Sequence, residues 1–438
     1  MKRFLTLILS AVMSLALFAS CDGGDNSGNN ESSNGQDSSQ VTAYARENED
    51  YLMGLCEAVS DINKEVESTL TMDYVADVCG TLEVKSYRLW MHFSRVLMRD
   101  PKSNTVYVNQ ENAQKFHDFI AKLKAQGVER FICMTSNYLH PYGYDPTTYN
   151  VIPDPLTEQA EYVEFLKLLG ESFRVLAEEF PEIDYFEPTN EPDLINGQNL
   201  CRNGYEWGGN DNGDYLYSDY DGAHIVADMC WYVTKAVKSV DEKNTVLLPA
   251  LCGYSSTEYY LDEIYNAIES KTLPTGEEKA DIKADNYFEI LNWHPYLLAE
   301  GEPEMNEYWV DLQKRIFAVA VNHGDGDSPV WFTEMGFTDL GNDDYKEEMA
   351  ENVVKLMDYV RSELTFVETV FMFRVSNLTG HAVMNEYENN FGLFYSLQDP
   401  DWGIAGSPKP IVIALYKWFK GENADLTPLY KWAVNEDN

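Results

Sequence analysis

Positive charge is scarce in this chain. Over 438 residues, 32 Lys and Arg stand against 73 Asp and Glu, a formal charge of −41. A surface of that sign repels phosphate backbones and anionic headgroups, which excludes nucleic acid as a partner and disfavours a long polyanionic substrate. Long apolar runs are also missing. Beyond Phe18 no stretch approaches the roughly 20 consecutive apolar residues of a spanning helix. Cysteines number 7 and are scattered, with no C-x-x-C and no Cys/His cluster, so neither a zinc site nor any other metal or cofactor is expected. No G-x-G-x-x-G or Walker sequence follows any apolar run, which removes the signature of nucleotide binding. The chain is 44% hydrophobic and 24% charged, which excludes disorder over its whole length. It is 13% aromatic, with 29 Tyr and 9 Trp, rings that suit a core plus a stacking surface. The length allows two or three ordinary domains or one large α/β barrel.

The N-terminus reads as a processing signal. Lys2 and Arg3 precede an apolar stretch from Phe4 to Phe18, too short to span a bilayer, and Ala19, Ser20 and Cys21 follow. This small-small-Cys ending resembles a bacterial lipoprotein signal, in which Cys21 becomes the lipidated first residue of the mature chain; Phe18 stands where that pattern usually has Leu. Residues 22–40 are almost entirely Gly, Asn, Ser, Asp, Gln and Glu and bury too little surface to offset their ordering entropy, so they are expected to form a flexible tether. The expected organisation is a signal over residues 1–20, a lipidated Cys and linker over 21–44, a barrel over 45–425 and a C-terminal tail over 426–438. The protein would then be exported and monomeric, held to a bacterial membrane by its lipid alone and facing the periplasm or cell exterior.

The body alternates strand and helix. Short apolar runs lie at 51–58, 86–93, 130–135, 183–192, 244–251, 287–296, 329–337 and 368–377. Helical spacing occupies 72–82, the stretch around Phe116 to Leu123, then about 157–179, 222–239, 256–269, 306–322, 344–363 and 409–419. Single helices between strands imply βαβ units and a parallel sheet, and eight of them predict a closed (β/α)8 TIM barrel forming one catalytic domain. Long loops rich in Gly, Asn and Tyr follow the third, fourth and eighth strands, at 137–155, 193–222 and 377–410, whereas the helix-to-strand connections are short. Barrels place their sites on the side of those long loops. Cys56, Cys79, Cys133 and Cys252 sit in apolar runs and read as small core residues; a disulfide remains open.

Two strands end in a carboxylate beside conformational punctuation: Thr189-Asn190-Glu191-Pro192 and Thr333-Glu334-Met335-Gly336. A carboxylate at the mouth of a barrel loses water, which is costly unless it is used or paired. Two facing carboxyls are what glycosidic cleavage needs, one protonated to release the leaving oxygen and one ionised to attack the anomeric carbon or activate water.

These motifs resemble those of clan A of the glycoside hydrolases, retaining enzymes on (β/α)8 barrels, with families 5 and 39 nearest. The resemblance covers residues 50–420 in element order, and in sequence only the strand ends. It implies that Glu191 is the general acid/base and Glu334 the nucleophile. It also implies that Asn190 bonds the sugar 2-hydroxyl and that Tyr296 of His294-Pro295-Tyr296 bonds the nucleophile. Arg88 would support the nucleophile or simply neutralise a buried acid. Where many clan members carry a Trp platform at the end of strand eight, this chain has Phe373 and Arg374. Trp402 or Trp207 is then expected to supply the ring, and Arg374 raises the question of an acidic sugar. The implied function is cleavage of β-glycosidic bonds in extracellular, neutral oligo- or polysaccharide. The competing reading is an inactive glycan-binding lipoprotein on the same barrel.

Overall fold

The computed structural model describes residues 43–62, 70–100, 102–135, 158–193, 222–254, 256–270, 283–296, 305–378, 389–397 and 405–433, with positions 138–139, 152–153 and 155. Cys21, Cys201, Trp207 and Trp402 lie outside them.

Eight parallel strands appear in chain order: β1 Met53–Cys56, β2 Ser86–Trp90, β3 Arg130–Met134, β4 Tyr185–Glu187, β5 Thr245–Val246, β6 Leu291–Asn292, β7 Val330–Met335 and β8 Val367–Phe373. Spatial order follows sequence order, and β1 pairs with both β2 and β8. The gap between β5 and β6 is spanned by the bridges Leu247–Ile290 and Leu251–Trp293. There the Leu248 N–H donates to the Ile290 carbonyl at 2.8 Å and the His294 N–H to the Leu251 carbonyl at 2.7 Å. Each strand leads into a helix: α1 Met72–Thr81, α2 Gln110–Ala125, α3 Gln159–Glu179, α4 Gly222–Lys238, α5 Thr257–Glu269, α6 Glu307–Asn322, α7 Asp343–Ser362 and α8 Pro410–Lys420. The fold is a (β/α)8 barrel, as the alternation predicts.

Local chemistry starts several of these helices. The side chains of Thr71, Asn109 and Asn306 accept from the N–H groups of Tyr74, Asn112 and Trp309, and Pro410 occupies the first position of α8. Between sheet and helices runs one large apolar layer, fed by the inward stripes of the helices, including Val75, Phe119, Phe165, Met229, Ile264, Ile316, Met357 and Leu415. A smaller cluster of Cys56, Ile132, Leu247, Ile290, Trp331 and Phe371 fills the barrel itself. Strands covered on both faces read as unbroken apolar runs, and β7 is buried at all six positions. Cys56, Cys79, Cys133, Cys230 and Cys252 are buried free thiols. No helix among the described residues is long and apolar enough to cross a membrane.

Two features depart from expectation. An antiparallel pair, Leu97–Arg99 with Val106–Val108, sits between β2 and α2; its strands are too short to show a period. Residues 426–433 also pack as part of the body. Leu429 is buried and Trp432 stands edge-on against Tyr74 and Phe394, at 5.2 and 5.5 Å between centroids.

Candidate active site

The strand ends bring Arg88, Glu187, Asn190, Glu191, His294, Tyr296 and Glu334 to one mouth of the barrel. Arg88 is wholly buried and organises the rest. Its Nε and Nη2 donate to the two carboxylate oxygens of Glu187, each at 2.7 Å. Nη2 also donates to Asn190 Oδ1 at 2.7 Å, and Nη1 donates to Glu334 Oε1. The fork geometry of a guanidinium lets one side chain hold two carboxylates and an amide at fixed angles, which a lysine cannot do. Glu187 anchors the fork, accepting as well from the Ala250 N–H at 3.2 Å. Sequence reasoning passed over Glu187. The signal available was an acid inside an apolar strand, YFE, that required a buried cation.

Glu334 accepts on both oxygens, from Arg88 on one and from the Tyr296 hydroxyl at 3.1 Å on the other. Both of its oxygens are thus held by donors, with the guanidinium charge behind it. Gly336, two residues on, is required by close approach: a Cβ there would lie 2.2 Å from the Phe373 carbonyl oxygen and 2.8 Å from the Phe391 ring. Tyr296, Phe373 and Phe391 form an aromatic wall beside the carboxylate, with centroids 5.4 to 6.5 Å apart.

Glu191 is held differently. Its backbone sits at φ 45°, a left-handed conformation that non-glycine residues adopt only when their surroundings impose it. Its N–H donates to the Ala250 carbonyl at 2.8 Å, fixing that turn to the end of β5. Oε1 lies 2.9 Å from His294 Nδ1, and 24% of the side-chain surface stays open. Burial pushes the carboxyl up to about 7, against the pull of the Arg88 charge. His294 is fully buried, and burial, opposed by the Glu334 charge and aided by Arg88, lowers its imidazole to about 4, so the ring is neutral. Gly253, at φ 71°, makes room for it: a Cβ would lie 2.6 Å from the His294 carbonyl oxygen. Behind Glu191, the carboxylate of Asp193 accepts from the Cys252 N–H at 2.9 Å and the Thr257 hydroxyl at 3.0 Å, tying the loop after β4 to the start of α5.

An oxygen of Glu191, an oxygen of Glu334 and a nitrogen of His294 lie within 4.8 Å of one another, close enough to share an ion. The Arg88 guanidinium donates into the same set, and a fixed cation there opposes a second one.

Geometry revises two expected roles, those of Arg374 and His294. Arg374 is engaged away from any sugar: it pairs with Glu57 through Nη2 at 2.7 Å and Nε at 3.1 Å, and is 6% exposed. Glu57 also accepts from the Ala58 and Val375 N–H groups, so this buried pair joins the ends of β1 and β8. Arg88, expected to support the nucleophile or to neutralise a buried acid, donates to both Glu334 and Glu187 and is 0% exposed. His294, expected at the substrate, is also 0% exposed and contacts the Glu191 carboxyl instead. Asn190, Tyr296, Glu191 and Glu334 keep open or lie against the mouth, whereas Trp207 and Trp402 fall outside the described residues.

No protein-family model and no curated protein matches this chain. Solved structures do. A family 5 glycoside hydrolase from Prevotella bryantii B14 is 10% identical, over 76% of this chain and 93% of that one, with a TM-score of 0.51. A family 39 glycoside hydrolase from Bacteroides cellulosilyticus WH2 is 15% identical, over 84% of this chain and 64% of that one, with a TM-score of 0.53. A β-glucosidase from Thermotoga maritima, solved with castanospermine, is 13% identical, over 87% of this chain and all (100%) of that one, with a TM-score of 0.56. The chain shares their fold. At such identities the likeness speaks for the barrel, and the chemistry rests on the residues at its mouth.

Proposed function

We propose that the chain is a retaining glycoside hydrolase that cleaves β-linked, neutral oligo- or polysaccharide by double displacement. One observation carries this reading: the Glu191 carboxyl, pushed up to about 7 by burial, and the Glu334 carboxyl, held by Arg88 and Tyr296, face each other with oxygens within 4.8 Å. Retaining enzymes keep their carboxyls about 5–5.5 Å apart, whereas inverting ones leave about 6.5–9.5 Å for a water. In the first step Glu334 attacks the anomeric carbon while Glu191 gives its proton to the leaving oxygen. Glycosylation then removes the Glu334 charge, and Glu191, now a carboxylate, takes a proton from the water that releases the sugar. Arg88 and Tyr296 hold the nucleophile in line, and Asn190 is the residue proposed to meet the sugar beside the cleaved bond. Among the described residues, the guanidiniums of Arg88 and Arg374 are engaged by carboxylates, which favours a neutral sugar over an acidic one. That the neighbouring Thermotoga maritima enzyme is a β-glucosidase solved with castanospermine and with deoxynojirimycin supports the same substrate class.

The test is a panel of β-linked glycans incubated with the full chain, with the first-formed anomer read by proton NMR. Retention is expected, with activity falling as pH rises through about 7, where Glu191 loses its proton. An inverted first product overturns the double displacement. Glycan binding without any cleavage favours the binding lipoprotein.

We also propose that the protein is exported and anchored through a lipid on Cys21, from the small-small-Cys ending and the polar run after it. Cys21→Ser is expected to leave the membrane fraction or to remain unprocessed; unchanged fractionation and processing would sink this proposal.

A further inference from the structure

We infer that Asn292 and Thr333 are positioning residues that hold His294 in its Nε2–H form, so that the bare Nδ1 accepts a hydrogen bond from the carboxyl of Glu191. Its consequence for catalysis rests on the glycosidase reading; the chain of hydrogen bonds does not.

The assignment follows atom by atom. The backbone N–H of Thr333 points at Asn292 Oδ1 at 3.4 Å. An N–H only donates, so the amide oxygen, not its NH2, occupies that place. The same oxygen lies 2.9 Å from Thr333 Oγ1. An amide oxygen cannot donate, so the single hydroxyl hydrogen is spent there. Thr333 Oγ1 is left as an acceptor, and His294 Nε2 stands 3.1 Å from it. That nitrogen therefore carries the ring hydrogen. A neutral imidazole has only one, so Nδ1 has none. Nδ1 and Glu191 Oε1 are 2.9 Å apart, and two bare acceptors would repel. The hydrogen in that contact belongs to Glu191.

Asn292 shows that the chain is built rather than incidental. It is 0% exposed, and among the described residues its Nδ2 has no hydrogen-bond partner. A buried, unpaired NH2 costs desolvation energy, so an apolar residue would serve better if packing were the purpose. The oxygen alone is used.

The bond favours the protonated acid in the first step. After the proton has gone to the leaving oxygen, the Glu191 carboxylate faces the Nδ1 lone pair. That repulsion raises its basicity for the proton of the incoming water, which restores the starting state. The other groups bearing on Glu191 and His294 are Arg88 on β2, Glu187 on β4, Asp193 after β4, Cys252 after β5, Tyr296 after β6 and Glu334 on β7. Arg88 opposes protonation of Glu191, so the hydrogen bond acts with burial against it.

The experiment uses the full chain labelled with 15N-histidine, with His294 assigned from its loss in His294→Gln. Long-range proton–nitrogen spectra are expected to show the Nε2–H ring, with an Nδ1 shift that follows the titration of Glu191. Thr333→Val removes the acceptor for Nε2–H, the ring turns to Nδ1–H, and that hydrogen now favours ionised Glu191. The midpoint is expected to fall by about half to one pH unit, the worth of one hydrogen bond. Thr333→Ser keeps it at the wild-type value. Asn292→Leu lowers it as Thr333→Val does, because the freed hydroxyl rotates and donates to Nε2. The basic limb of kcat/KM moves in parallel. An Nδ1–H ring in the wild type, or an unchanged midpoint in folded Thr333→Val and Asn292→Leu, overturns the inference. A shifted midpoint in a protein that cleaves no glycan upholds the hydrogen-bond chain and rejects the glycosidase reading.

Discussion

Glu334→Ala is expected to lose turnover on every glycan the wild type cleaves, by about 10^4-fold or more, and to regain it with azide as the α-glycosyl azide. The loss is that large because the first bond to the anomeric carbon has no comparable donor: Arg88 is a cation and Tyr296 a neutral phenol whose pKa is raised by burial, and both only support the carboxylate. Azide fits the gap left by the carboxylate and attacks from the same side, opposite the leaving group, which fixes the α configuration. Glu191→Ala separates the second role. Substrates with good leaving groups need no proton, so they still glycosylate Glu334. The covalent intermediate then accumulates for want of a base, and azide attacks it from the other face to give the β-azide. Mass spectrometry of the trapped protein and NMR of the azides read both outcomes. Azide products with the two configurations exchanged would reverse the assignment of the carboxyls. No rescue of either variant would remove both from the chemistry.

Arg88→Met is expected to lower the unfolding free energy by about 3–5 kcal/mol, the cost of leaving a buried carboxylate without its cation. Both members of the Arg88–Glu187 pair are 0% exposed, so solvent does not soften the loss. Denaturant unfolding measures it. The double variant Arg88→Met with Glu187→Leu is expected to recover part of that stability, because an apolar pair of similar volume replaces one buried ion pair at little cost while Glu334 still lacks its cation. Activity is not expected to return, since Glu334 and Asn190 still lack the guanidinium that orients them. Recovery of both in the double variant would reduce Arg88 to a structural cation.

The barrel was legible in the sequence because its cause is local. Strands buried on both faces must be apolar throughout, and helices packed on them must repeat near 3.6 residues, so YLMGLC, RFICM and VWFTEM announce themselves between helical stripes. The two Glu were legible for a related reason: a carboxylate at the end of such a run conflicts with its surroundings. The short pair at Leu97–Arg99 and Val106–Val108 has three residues a strand, too few for any period. The packing of Trp432 depends on Tyr74, far away in sequence. Partners decided by closure of the ring were not readable at all. Arg88 and Glu187 meet because β2 and β4 flank β3. Arg374 meets Glu57 because β8 closes on β1, which turned an expected sugar contact into a seam. The barrel and the two carboxyls at its mouth could thus be read from the chain, through periodicity and the cost of burying charge. How the two acids are partnered, and hence how far burial raises Glu191, could not. That depends on Arg88, His294, Thr333 and Asn292 converging from β2, β6 and β7, and electrostatic environment is a property of neighbours in space, not in sequence.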